Sequence, residues 1–376
     1  MMTDELTITH ELIADTPAMR RYRYAVQNSA GTEMSHAMVT INQVMYCGNY
    51  IPMLQFGGIG TPPHYRRMGA VRRIFNEVFS HLDSFGCYAS MLHPFESDYY
   101  RRFGYERVAT TVICEFPIAN LDFLPRYSRL TPYDDSRLDD FLHVYDGFMR
   151  HRNLSFRRFA APACDPSDKK MLYLDYADDG TPEGYILIQP EKHYDGINKM
   201  VSDNLHVLEF AYLTKSSMLR LLSFLRMFDG ELESVRFHDI GFAPELEHVF
   251  RHTMNTRYEM YSDIAARVLD TAAMLKANAY PHTPGHFTLA VEDPLPSVAG
   301  VFHVEYGGGK AEVQRLDAGS HADLTVTSPP LSRLIFGYDS YDGYSLSYLD
   351  GVTVSGEVED FLRAFPKRRN GNFNHF

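Results

Sequence analysis

The chain has 376 residues, 45% hydrophobic and 22% charged, a globular composition too long for one ordinary domain, so two or three are expected. Lys and Arg number 36 against 48 Asp and Glu, a formal net charge of −12; such a surface repels phosphate and excludes a general nucleic-acid binder, while it concentrates cationic small molecules. No apolar run reaches about 18 residues, so no membrane-spanning helix and no membrane partner are expected. The cysteines (Cys47, Cys87, Cys114, Cys164) lack C-x-x-C spacing, and "MMTDELTITHELIADT" lacks a charged-then-apolar signal pattern, so a reduced, cytoplasmic protein is expected.

In chain order, the first predicted elements are strands within residues 37 to 61. "AMVTINQVMYC" and "IPMLQFGGIG" are apolar and β-branched, broken by "GNY". "TPPHYRRMG" is a basic turn. A helix follows, because Val71, Ile74, Phe75, Val78, Phe79 and Leu82 recur at helical spacing along one face. "FGCYASMLHP" reads as a buried strand, Ser97 as the N-cap of a short helix, and Gly104 as its C-terminal stop. "YERVATTVICEFPI" reads as a further strand. The unit is β-β-turn-α-β-α-β, which predicts mixed α/β.

The pattern resets near residue 124, giving a first domain of 1–123 and a second of 124–262. "GYILIQPE" and "NLHVLEFAYL" are strands, and Met218, Leu221, Leu222, Leu225 and Phe228 mark a helix. A third domain, 263–376, alternates apolar and polar residues in "HFTLAVED", "GVFHVEYGGGKAEV" and "ADLTVT", with "GGG" as a hairpin turn. "SPPLSRLIFG" starts a helix with Ser328 as cap and prolines in the first turn, so this region is α+β.

Two stretches can carry chemistry. From Ile59, Gly60 and Thr61 to Arg66 and Arg72, a strand ends and a helix starts at a basic, glycine-containing loop. First-turn amides have no intrahelical partner, the helix dipole is positive there, and a glycine lets a phosphate approach the backbone, so the loop reads as an anion site fit for a pyrophosphate, with a solvated basic turn as the alternative. In "LHPFESDYYRRFGYERV", a tyrosine can protonate a departing thiolate, since its ordinary pKa of about 10 exceeds the ~8.5 of a thiol. The "HTPGH" pair, His282 and His286, has no nearby cysteine or acidic partner in sequence and reads as loop, so no metal is expected.

"RRMG" resembles the Arg/Gln-x-x-Gly-x-Gly/Ala loop of the GCN5-related N-acetyltransferases (GNAT), with Val71 at the third motif position. "PPHYRRMGAVRRIF", then "MLHPFESDYYRRFGYE", then a second acetyltransferase-like half and a sterol-carrier-like C-terminal region resemble the enhanced intracellular survival (Eis) family. The resemblance implies tandem GNAT folds followed by a sterol-carrier-like α+β domain. It implies acetyl transfer from acetyl-CoA, as co-substrate, to a primary amine of a cationic substrate such as an aminoglycoside, a polyamine or a lysine side chain. By position, Ile59, Gly60 and Thr61 would line the thioester end of the cofactor. Arg67, Met68, Gly69, Ala70, Val71 and Arg72 would cradle its phosphates, and Phe95 and Glu96 would flank its reactive end. Tyr100 matches the family's general acid, and the carboxylate of Phe376 its base. A hexamer is also implied. The second half has no Arg-x-x-Gly loop before its helix and is expected to wall the substrate pocket rather than bind cofactor. The alternative is a non-catalytic lipid or hydrophobe carrier built on the C-terminal region.

Overall fold

The computed structural model describes residues 6–164, 167, 169–194, 200–241, 243–250, 254–262 and 264–373. The chain begins with β1 (Thr7–Asp15), β2 (Met19–Gln27), β3 (Glu33–Tyr46) and β4 (Asn49–Gly60). Then come α1 (Ala70–Ser80), α2 (Leu82–Phe85), β5 (Ala89–Leu92), α3 (Ser97–Arg101) and β6 (Glu106–Arg107). Next follow β7 (Thr110–Pro117), β8 (Thr131–Pro132), α4 (Leu138–Met149), β9 (Met171–Tyr176), β10 (Pro182–Tyr194), β11 (Met200–Tyr212), α5 (Lys215–Leu225), β12 (Ser234–Phe237) and β13 (Arg257–Ser262). The remainder supplies β14 (Ala265–Val268), α6 (Thr271–Ala277), β15 (Gly285–Glu292), β16 (Gly300–Gly307), β17 (Lys310–Leu316), β18 (Leu324–Thr327), α7 (Ser328–Ile335), α8 (Gly343–Leu346), β19 (Val352–Val354) and α9 (Glu359–Ala364). Among the described residues, no helix is long and apolar enough to cross a membrane.

These elements form two seven-stranded sheets and one of five, ordered β1-β2-β3-β4-β5-β14-β6, β13-β7-β12-β11-β10-β9-β8 and β17-β16-β15-β18-β19. The fold is mixed α/β, with two large mixed sheets and a further five-stranded sheet. Each large sheet has one parallel crossover: β4 runs beside β5 across α1, and β11 beside β12 across α5. The described chain divides into two units. One holds residues up to Ala109 and from 264 to Asn370; the other holds Thr110–Ser262 and 371–373.

"YERVATTVICEFPI" is not one strand. It splits into β6, which stays in the first sheet, and β7, which pairs with β12 and β13 in the second. In return β14 enters the first sheet between β5 and β6. A strand's alternation fixes which face is buried, not which neighbour it pairs with, so local pattern could not reveal the exchange. The sequence pattern likewise does not give β1, β2, β8, β9, β12, β13, β14, β19, α4, α6, α8 or α9. Two caps fall one residue earlier than expected. Glu96 and Thr327 hold the extended backbone, and Ser97 and Ser328 are the first helical residues. The "GGG" turn joins β16 to β17 with Gly308 at φ 60° and Gly309 at φ 83°, the pair of positive values that a tight hairpin needs.

In the first unit, α1 lays Ala70, Ile74, Phe75 and Val78 on the sheet, against Ala37, Val39 and Ile41 of β3 and Leu54 and Phe56 of β4. Phe75 is the keystone: it stacks on Phe56 at 4.1 Å and on Phe103 at 4.4 Å, tying α1 to β4 and to the turn after α3. The five-stranded sheet and its helices share this unit. Tyr46 donates to the carbonyl of Ile335 at 3.0 Å, and Asn370 donates to the carbonyls of Val108 and Phe336, each at 2.8 Å. Arg368 donates to Cys47 Sγ at 2.7 Å and to Asn278 Oδ1 at 2.5 Å. The tail is thus bonded through Asn370 rather than frayed. Phe376 lies outside the described residues.

Candidate active site

The helix that matters most begins without a side-chain cap. Gly69 occupies the N-cap of α1 at φ 80°, ψ 8°, and no side chain accepts from the first-turn amides. Arg67, two residues earlier, is also left-handed at φ 65°. Left-handed geometry at alternate residues turns successive N–H groups inward, and the helix dipole adds positive potential at the same point. A Cβ on Gly69 would meet nothing within 4 Å, so glycine is required here by backbone conformation and not by a crowded neighbour.

The start of α5 in the other unit shows the contrast. There Thr214 is the N-cap and its hydroxyl accepts from Ser217 N at 3.1 Å. That hydroxyl donates to Glu183 at 3.1 Å, and Glu183 also pairs with Arg220 at 2.7 Å. A capped amide with a carboxylate behind it offers an anion nothing, whereas the start of α1 offers free amides and arginines.

A cavity of about 1000 Å³ opens over the start of α1. Of the residues singled out from sequence, Ile59, Thr61, Arg67, Met68, Gly69, Ala70, Val71, Arg72, Phe95 and Tyr100 all line it. Gly60 and Glu96 do not. Gly60 backs onto His36 on β3, and Glu96 is an exposed N-cap of α3. Arg66, at the start of the basic loop read from sequence, lines it too, and four further lining residues have no role in the sequence reading: Tyr65, Tyr99, Arg102 and Phe103. A signal for three of them existed, since Tyr99, Arg102 and Phe103 sit at i, i+3 and i+4 and share one side of a helical turn. Four guanidinium groups (Arg66, Arg67, Arg72, Arg102) therefore border one cavity of a chain whose net charge is −12.

Tyr100 is 4% exposed and ringed by aromatics, with Tyr99 at 5.1 Å and Phe95 at 5.5 Å between centroids. Its hydroxyl makes no hydrogen bond among the described residues. Burial first, and then the neighbouring Tyr99, push its pKa up to about 12. The phenol is thus protonated throughout the neutral range and holds an uncommitted donor at the cavity wall. Ser35 steadies the end of β4, donating to the carbonyl of Gly60 at 3.0 Å and lying 2.8 Å from the Thr61 hydroxyl.

Residues 8–108 match the acetyltransferase (GNAT) domain family, and residues 271–370 the sterol carrier protein domain family. No curated protein matches the chain in sequence. The whole fold is similar to that of a GCN5-related N-acetyltransferase from Anabaena variabilis ATCC 29413, with TM-score 0.78 at 18% identity over 94% of this chain and 89% of that one. It is also similar to a probable N-acyltransferase from Enterococcus faecalis V583, with TM-score 0.74 at 19% identity over 95% and 89%. Eis1 from Mycobacterium abscessus gives TM-score 0.74 at 14% identity over 98% and 100%. The cavity over α1 therefore lies within an acetyltransferase (GNAT) domain, whose general chemistry is acyl transfer, in a chain that also carries a sterol carrier protein domain.

Proposed function

We propose that this protein transfers the acetyl group of acetyl-CoA to a primary amine of a cationic substrate, an aminoglycoside, a polyamine or a lysine side chain. Tyr100 is the general acid for the departing thiolate, and the carboxylate of Phe376 is the base. One observation carries the reading: the uncapped, arginine-bordered start of α1 and the uncommitted Tyr100 hydroxyl face one cavity. A pyrophosphate on the α1 amides and arginines leaves the pantetheine arm to run along Ile59 and Thr61 toward Phe95 and Tyr100. Sulfur leaving as thiolate takes the phenol proton, and the strand amides near Gly60 can polarise the thioester carbonyl. The acidic surface draws in a cationic acceptor.

The test is thiol release from acetyl-CoA across a panel of polyamines, aminoglycosides and lysine peptides, with the C-terminus unmodified. Release that depends on the amine, and mass gain of one acetyl per site, are the expected results. Acetyl-CoA at about 100 times its Kd should also raise folding stability by about 2.7 kcal/mol, seen as a thermal shift. Residues appended beyond Phe376 should lower kcat and leave acetyl-CoA affinity unchanged. An extended protein as fast as the original would remove Phe376 from the mechanism.

A further inference from the structure

The antiparallel pairing of β3 with β4 sets His36 directly opposite Gly60. A Cβ on Gly60 would fall 2.6 Å from both Cε1 and Nε2 of the imidazole, so only glycine leaves room for the ring here. Nδ1 of His36 stands 2.8 Å from Oε1 of Glu33, whose two oxygens accept from Arg23 Nη2 at 2.7 and 2.6 Å. Arg23, and after it His36, hold the Glu33 carboxyl below the usual carboxylate range, so it stays an anion and an acceptor for Nδ1–H. That tautomer leaves the lone pair on Nε2. Nε2 makes no hydrogen bond among the described residues, and the side chain is 37% exposed.

The position of this ring relative to the cavity gives it a task. Ala37, Val39 and Ile41 pack with α1, so His36, which alternates with them, lies on the opposite face of the sheet. Ile59 and Thr61 line the cavity, while Gly60 between them meets His36. β4 pairs with β5 only from Met53↔Ala89 to Phe56↔Leu92, so beyond Phe56 the two strands part. An amine on the His36 face would meet a thioester on the cavity face through that parting.

We propose that His36, oriented by Glu33 and Arg23, is the group that takes the proton from the acceptor ammonium. The inference rests on the acetyl-transfer reading above and amends one role in it: the ammonium proton goes to His36, and the Phe376 carboxylate holds the ammonium by charge. Imidazole Nε2 takes one proton from R–NH3+. The freed lone pair forms the C–N bond as the C–S bond breaks. Sulfur leaves with the electron pair and takes the Tyr100 proton. The second nitrogen proton returns to the Tyr100 phenolate through solvent, and His36 releases its own, so each turnover yields R–NH–CO–CH3, CoA–SH and one proton. A carboxylate with an ordinary pKa near ~3.5 pairs with an ammonium by charge but removes its proton poorly, whereas imidazole as a class titrates near neutrality. Among the described residues of β1–β4, the charged groups on the His36 face are Glu33 on its own strand, Arg23 and Arg21 on β2, and Glu11 on β1 opposite Arg23; β4 presents none.

The experiment is His36→Gln, assayed by thiol release from acetyl-CoA with spermidine between about pH 6 and pH 10. Near pH 7, kcat/KM for the amine should fall about 10²-fold with KM for acetyl-CoA unchanged. The deficit should shrink toward pH ~10, where the amine arrives already deprotonated. Added imidazole should restore rate to His36→Ala, and Glu33→Gln should show a smaller loss of the same pH form. Unchanged kcat/KM in His36→Gln, or a deficit equal at every pH, overturns the proposal. If the unaltered protein is stabilised by acetyl-CoA yet releases no thiol to any amine, the acetyl-transfer reading fails and this inference with it.

Discussion

Tyr100→Phe should lower kcat by about 10²–10⁴-fold while leaving acetyl-CoA affinity nearly unchanged. The ring is 4% exposed and packed against Phe75, Tyr99 and Phe95, so phenylalanine keeps that packing. The hydroxyl has no partner among the described residues, so no internal hydrogen bond is lost with it. The change therefore removes one proton donor from the cavity wall and little else. The pH profile gives a second check. Burial, with Tyr99 next, raises the phenol to about 12, and a raised acid keeps its proton until pH passes that value. The unaltered protein should show no alkaline decline from loss of this proton anywhere below about pH 10–11. The measurements are steady-state thiol release and acetyl-CoA binding by calorimetry. A Tyr100→Phe protein with undiminished kcat would assign the thiolate another donor.

The two parts of the site were unequally legible in sequence. The start of α1 could be read because its signals are local: a strand end, arginines, a glycine and a 3.6-residue apolar stripe lie within about 20 residues. Val71, Phe79 and Leu82 of that stripe are only partly buried, and Leu82 falls in α2 after His81 closes the first helix. His36 could not be read, because its neighbour Gly60 reaches it through antiparallel register, which depends on the turn at Cys47 and Gly48 and the irregularity beside Met38. Nor could the exchange of β7 and β14. "AARV" carries an arginine, which argues against a buried strand until its partner, Asp293, is known from the fold.

Arg267→Met is expected to destabilise the protein by about 3–5 kcal/mol, because it strands a buried carboxylate. Arg267 on β14 is 4% exposed and Asp293 is 2% exposed, with contacts of 2.9 and 3.0 Å from Nη2 to the two carboxylate oxygens. The guanidinium also stacks over Phe79 at 4.6 Å and donates through Nη1 to the carbonyl of Phe103. Phe103 N in turn donates to the carbonyl of Tyr100 at 2.9 Å, so the arginine pins the turn that ends α3. Gly104 leaves space for it: at φ 82°, a Cβ there would approach the guanidinium to 3.0 Å. The two roles separate in a double variant. Arg267→Met with Asp293→Leu removes both charges and should recover most of the lost stability, since an apolar pair of similar volume often replaces a buried ion pair at little net cost. It does not restore the donor to Phe103, so kcat should stay below that of the unaltered protein. Denaturant midpoints and kcat measured on the same preparations decide it. A double variant as unstable as Arg267→Met would show that packing of the arginine stem, not the stranded charge, sets the cost. One restored in both stability and kcat would free Tyr100 from any dependence on this clamp.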